Sequence, residues 1–140
     1  MNRHSGTGRV VANVTVPGPL TFAGAVSGSS LAADAVTGTV VASGQSRIDV
    51  KSLASPNSIS ISASSHSSVG VASGRTPWLT ASCSDWAAVD LGSVQADRGS
   101  VSVSAGSSLT GGTVGSATIT VTGNSMLTMR ATRSVGLSCE

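Results

Sequence analysis

Between residues 78 and 131 the chain alternates small apolar side chains with hydroxyl side chains. Val101, Val103 and Ala105 share one face of a first run, Ala117, Ile119 and Val121 of a second, and Leu127, Met129 and Ala131 of a third. Residues i, i+2 and i+4 of a strand point the same way, so each run reads as a half-buried strand with a Ser/Thr outer face. The pattern extends upstream. Ile48 and Val50 alternate in RIDVKSL (47–53), and Ile59, Ile61 and Ala63 alternate with serines in SISISAS. Val10, Ala12, Val14 and Val16 share a face of RVVANVTV. Turn signals such as Pro17-Gly18-Pro19 and Ser55-Pro56-Asn57 separate the runs, and no segment carries the period of a helix. Short strands with frequent turns predict an all-β sandwich or barrel.

Composition narrows the reading. The 140 residues include 17 Gly but one Phe, two Trp and no Tyr. Only 10% are charged, against about 25% in ordinary soluble domains. A disordered chain would be charge-rich and poor in apolar residues, whereas 39% here are hydrophobic. So few charges suit a protein held inside an assembly. Seven Arg and one Lys face five Asp and one Glu without forming a basic cluster, which argues against nucleic acid. The start, MNRHSGTGRVVANV, has no apolar core of a signal peptide, so no leader and no membrane partner are expected.

Residues from about Ile48 to Thr132 resemble the BACON family of immunoglobulin-like modules. The pieces that carry the resemblance are IDV (48–50), SVGV (68–71), Trp78-Leu79-Thr80, and Asp85-Trp86 with Ala88 and Val89. They continue as GSVSVSA (99–105), SATITVTG (116–123) and MLTMRAT (126–132). The two tryptophans at the family's spacing carry most of it. The loop GSSLTGGTVG and the ending from Ser134 to Cys139 depart from the family's pattern. The resemblance implies an immunoglobulin-like antiparallel β-sandwich over 46–140; residues 1–45 lie outside it and read as a β-rich N-terminal arm that could exchange strands. It also implies either carbohydrate binding or a place in bacteriophage structural proteins, where such modules occur.

Trp78 and Trp86, with Asp85 nearby, are the candidates for glycan contact, since an indole offers a flat apolar face and one N–H. Against that, two large side chains in a chain so poor in aromatics are expected to fill the core. Cys83 and Cys139 match no metal or redox spacing, and stand either as one disulfide or as two free thiols. His4 and His66 lie in polar stretches without a nucleophile motif. Asp34, Asp49, Asp85, Asp90 and Asp97 are too scattered for a calcium loop. Arg130 and Arg133 suit an interface better than a phosphate. Two short echoes, VVASGQS (40–46) with VGVASGRT (69–76) and AVSGSS (25–30) with VSAGSS (103–108), read as reused turn chemistry rather than a solenoid.

The expected function is that of a non-enzymatic structural protein of a bacteriophage virion: a capsid decoration protein, or a head-fibre or tail component. It would bind capsid or other virion proteins and its own copies through Val10, Ala12, Val14 and Val16 of the arm and through sheet edges. The first alternative is a secreted or cell-surface carbohydrate-binding module using Trp78 and Trp86. The second is a strand-exchanged surface filament subunit. No catalytic residue, metal or cofactor is expected.

Overall fold

The structure, a computed structural model, describes residues 19–140. Nine strands follow one another without a helix among the described residues: β1 (Leu20–Ala25), β2 (Ser30–Ala42), β3 (Arg47–Ala54), β4 (Ser58–Ala63), β5 (Ser68–Cys83), β6 (Ala88–Asp90), β7 (Ser93–Val103), β8 (Ser108–Val121) and β9 (Met126–Cys139). Every pairing between them is parallel. The antiparallel immunoglobulin-like sandwich is therefore corrected to a parallel β-solenoid-like coil. The described part of the expected arm joins the same coil through β1 and β2.

The register defines the coil. One column runs Ala25, Ala42, Ala63, Cys83, Val103, Val121 and Cys139, with successive members 17, 21, 20, 20, 18 and 18 residues apart. Each turn supplies one strand segment to each of two sheets. Sheet A holds 30–36, β3, the first half of β5, β6 with the start of β7, and the first halves of β8 and β9. Sheet B holds β1, 39–42, β4, 78–83, 98–103, 116–121 and 134–139. The chain passes from A to B at a bend, the kink edge, and returns from B to A at a tight corner.

The core lies between the two sheets. Leu31, Ile48, Val69, Val89, Leu109 and Leu127 stack in register on the A side, facing Val40, Ile61, Ala81, Val101 and Ile119 on the B side. Ile48, Ile61, Leu79 and Leu109 are fully buried, each worth about 1.5–3 kcal/mol of burial. Parallel stacking puts like on like, so the interior is uniformly thin and filled by Ala, Val, Ile and Leu. The expected core tryptophans stand outside, Trp78 on the outward phase of its strand beside inward Leu79 and Trp86 in a corner: Trp78 is 42% and Trp86 67% exposed.

The corner has one plan, used six times. Its two central residues carry positive φ: Ser27-Gly28, Gly44-Gln45, Ser65-His66, Asp85-Trp86, Ala105-Gly106 and Gly123-Asn124. Positive φ at both centres is the type I′ turn, closed for example by Ser67 N–H on the Ser64 carbonyl at 3.2 Å and Ser107 N–H on Ser104 at 3.2 Å. The corners stack through backbone bonds. Gly28 N–H donates to Gly44 O at 2.7 Å, Gln45 to Ser65 at 2.9 Å, His66 to Asp85 at 2.9 Å, Trp86 to Ala105 at 3.1 Å and Gly106 to Gly123 at 2.8 Å. Five corners place a serine after the turn. Buried Ser67 accepts from Ser64 N–H at 3.0 Å, and its hydroxyl lies 2.9 Å from Ala42 O of the previous turn and 2.6 Å from Ser64 O. Ser46 does the same for Ser43 N–H and Ala25 O. The fourth corner has Ala87 there, and its N–H is taken by Ser107 Oγ at 3.2 Å.

These corners explain one of the two sequence echoes. AVSGSS and VSAGSS are equivalent, each running from the inward column through a corner to sheet A. VVASGQS and VGVASGRT are not, because 43–46 form a corner whereas 73–76 lie at the kink edge within β5. The reading of the echoes as turn chemistry rather than a solenoid is corrected: the corners recur turn by turn and build the solenoid-like coil.

Candidate functional site at the open solenoid end

The last turn of the coil is uncovered. β9 pairs with β8 alone, leaving its other edge without a strand among the described residues. Its side chains continue the interior columns: Leu127 follows Leu109, Val135 follows Ala117, Leu137 follows Ile119 and Cys139 follows Val121. Leu137 is 63% and Val135 49% exposed, and Met126 at the start of the strand is exposed too. A terminal coil that closes a solenoid carries polar groups on its outer side. β9 instead has the alternation of an interior turn, together with a row of free backbone donors and acceptors.

The flanks differ in chemistry. The outer face of sheet A carries exposed, paired charges, with Arg47 Nε 2.8 Å from Asp49 Oδ2 and Lys51 Nζ 2.8 Å from Asp34 Oδ1. Each carboxylate raises the pKa of its cationic partner through the hydrogen bond first and the charge second. The outer face of sheet B is nearly free of charge. Thr39, Ser60, Thr80, Ser100 and Thr118 stand in one register column and Ser62, Ser82, Ser102, Thr120 and Ser138 in the next.

The sequence-derived candidates fall in separate places. Trp78 sits on sheet B beside the kink edge, its Nε1–H donating to Thr80 Oγ1 at 3.2 Å. Asp85 and Trp86 form the fourth corner, where Ser84 Oγ donates to Asp85 Oδ2 at 3.3 Å. The six-residue strand run from Trp78 to Cys83 already spans about 16 Å, so the two indoles make no shared platform. Trp86 lies over Gly106: a β-carbon added to Gly106 would meet the indole at 2.9 Å. Cys83 is buried and Cys139 exposed, both free. They occupy one column three turns apart, about 14 Å by strand spacing and outside disulfide reach. Burial pushes the Cys83 thiol above its ordinary pKa, against smaller opposing contributions from Ser107 and Ser108. Val10, Ala12, Val14, Val16 and His4 lie outside the described residues. His66 occupies a corner and bonds Asp85 through its backbone. Among the described residues no three His, Cys, Asp or Glu side chains gather as metal ligands, and no helix is long and apolar enough to cross a membrane.

Sequence reasoning missed the open end, because alternation looks the same in an interior strand and a terminal one. It also missed Arg75 and Asp97, which come together at the kink edge across one turn of the coil. Compared with protein-family models, curated proteins and solved structures, the chain matches none.

Proposed function

We propose that the protein is a non-enzymatic structural protein that works by assembly, one copy adding to the next at the β9 edge to lengthen the solenoid. The observation that supports this is the last turn itself: a strand paired on one edge only among the described residues, whose Leu127, Val135 and Leu137 continue the core columns toward solvent. Covering it with a strand of alternating apolar residues satisfies the free backbone groups and removes apolar surface from water. Joining the β9 end of one copy to the N-terminal end of another is a head-to-tail contact. Such a contact does not close on itself and so builds a filament. A virion fibre or tail component and a surface filament subunit both fit this mode.

Light scattering and negative-stain microscopy on the purified chain over a rising concentration series test it. Rods that lengthen with concentration are expected, and Leu137→Asp with Val135→Asp should leave a folded monomer. A wild-type chain that stays monomeric throughout, or a double variant that assembles unchanged, overturns the reading.

A further inference from the structure

Four arginines lie at or near the kink edge, and two of them, Arg75 and Arg133, line the same hollow. Arg75 pairs in register with Gln95, which pairs with Thr113, which pairs with Arg130. Arg98 stands between Trp78 and Ser116 three residues further along β7 into sheet B, and Arg133 precedes Ser134 on β9. Arg47 and Lys51 on sheet A each hold a carboxylate. These four arginines hold none, and among the described residues they make no side-chain hydrogen bond. Asp97 is the one carboxylate among them, so the edge has a local positive excess on a chain whose net charge is only +2.

The edge is also concave. Two adjoining hollows share Arg75 and Asp97 as walls. One, of about 400 Å³, is lined by Ala54, Ser55, Pro56, Thr76 and Pro77. The other, of about 160 Å³, is lined by Gln95, Thr113, Thr132 and Arg133. The first is mainly apolar, the second rich in hydrogen-bonding groups.

We propose that this kink-edge groove binds an acidic oligosaccharide, with sugar carboxylates seated on Arg75 and Arg133. The guanidinium fork matches a carboxylate bidentately, which a lone ammonium cannot do. Gln95, Thr113 and Asp97 supply the mixed donors and acceptors that ring hydroxyls need, and Pro56 and Pro77 offer an apolar wall to a ring face. A nucleic acid suits the groove less well. Its charge is dense and regular, and Asp97 stands in the middle of the groove to repel it, whereas the same carboxylate accepts hydroxyl hydrogen bonds from a sparsely charged sugar chain. The site is distinct from the tryptophan platform expected from the sequence, since Trp86 lies at the corner on the far side of the coil. Arg75 lies on β5, away from the open end, whereas Arg133 lies on β9, so the Arg75→Gln arm reads the groove apart from the assembly edge.

Calorimetric titration of the full chain with trigalacturonate and with its methyl ester tests the proposal. Trigalacturonate should bind, and the uncharged ester should bind at least about tenfold more weakly. Arg75→Gln and Arg133→Gln should each weaken the acid by about tenfold, while Trp86→Ala leaves it within about twofold. Arg75 is exposed, so Arg75→Gln should keep the wild-type unfolding transition. Should a variant fail to fold, the ester comparison on the wild-type chain decides. No binding of the acid, equal binding of its ester, unchanged affinity in both folded arginine variants, or tighter binding of an oligothymidylate of equal charge each overturns the proposal.

Discussion

The two edges of the coil solve the same problem, reversing the chain between sheets, in opposite ways. At the corner the path from the inward column of sheet B to sheet A takes five residues every time, from Ala25 to Ser30 as from Val121 to Met126. Its conformation repeats, its backbone bonds link each turn to the next, and buried serines tie the loops down. The kink edge has no such repeat. Ser55, Pro56 and Asn57 interrupt the second turn, β5 bends through without a break, and the register slips between Thr110 and Thr113. All the variation in coil length, from 17 to 21 residues, is absorbed between one corner and the next. The corner edge therefore carries structure and the kink edge is free to carry recognition, as expected when binding groups ride on irregular segments of a rigid scaffold.

Insertions and substitutions at the two edges put that contrast at risk. A Gly-Ser insertion between Gly44 and Gln45 displaces the bonds to Gly28 and Ser65 and moves Ser46 from its partners. It should cost about 3 kcal/mol or more in urea denaturation. The same insertion between Pro56 and Asn57 should cost under about 1 kcal/mol, since lengthening a loop costs little. Equal losses at the two positions would erase the distinction between the edges. Next in size, Ser67→Ala strips a buried hydroxyl that serves two turns of the coil, and should cost about 1–3 kcal/mol. Ser55→Ala at the kink should stay within about 0.5 kcal/mol. Gly106→Ala forces a β-carbon onto a backbone at φ +74° and against the Trp86 ring, for about 1–2 kcal/mol. Pairing it with Trp86→Ala should recover the steric part and leave the backbone part. The smallest effect has the opposite sign. Ala87→Ser restores the hydroxyl that the other corners use and should stabilise by up to about 1 kcal/mol in thermal denaturation. A loss there would mean that the fourth corner is built differently around Trp86.

Much of the strand content was legible. Ile48, Val50, Ile59, Ile61, Val101, Val103, Ala117 and Ile119 all point inward as their alternation requires. What alternation cannot convey is the direction of the neighbour, because a half-buried strand reads the same in a parallel and an antiparallel sheet. The turn residues added to the error. Turn pairs such as Gly44-Gln45 and Ala105-Gly106 are hairpin chemistry when the next strand folds back. Here the same I′ geometry turns the chain onto the opposite sheet. The repeat was visible only as the cassette of a hydroxyl residue, two turn residues and Ser, in Ser43–Ser46, Ser64–Ser67, Ser104–Ser107 and Thr122–Ser125. Unequal coil lengths hid its period, and one of the two echoes noticed in the sequence matched a corner to a kink. The rarity of tryptophan also misled, since Trp78 takes the outward phase of its strand and Trp86 a corner.

The register between successive turns decides the coil, and one cross-linking measurement reads it. Ser62 and Ser82 face outward from sheet B as direct neighbours on β4 and β5, with backbones about 4.8 Å apart and within disulfide range. In a chain carrying Cys83→Ala and Cys139→Ser, the pair Ser62→Cys and Ser82→Cys should oxidise readily under mild conditions. Ser62→Cys with Ser102→Cys, two turns apart on the same column, should remain reduced. A first pair that stays reduced while the second closes would contradict the parallel coil and everything argued from it.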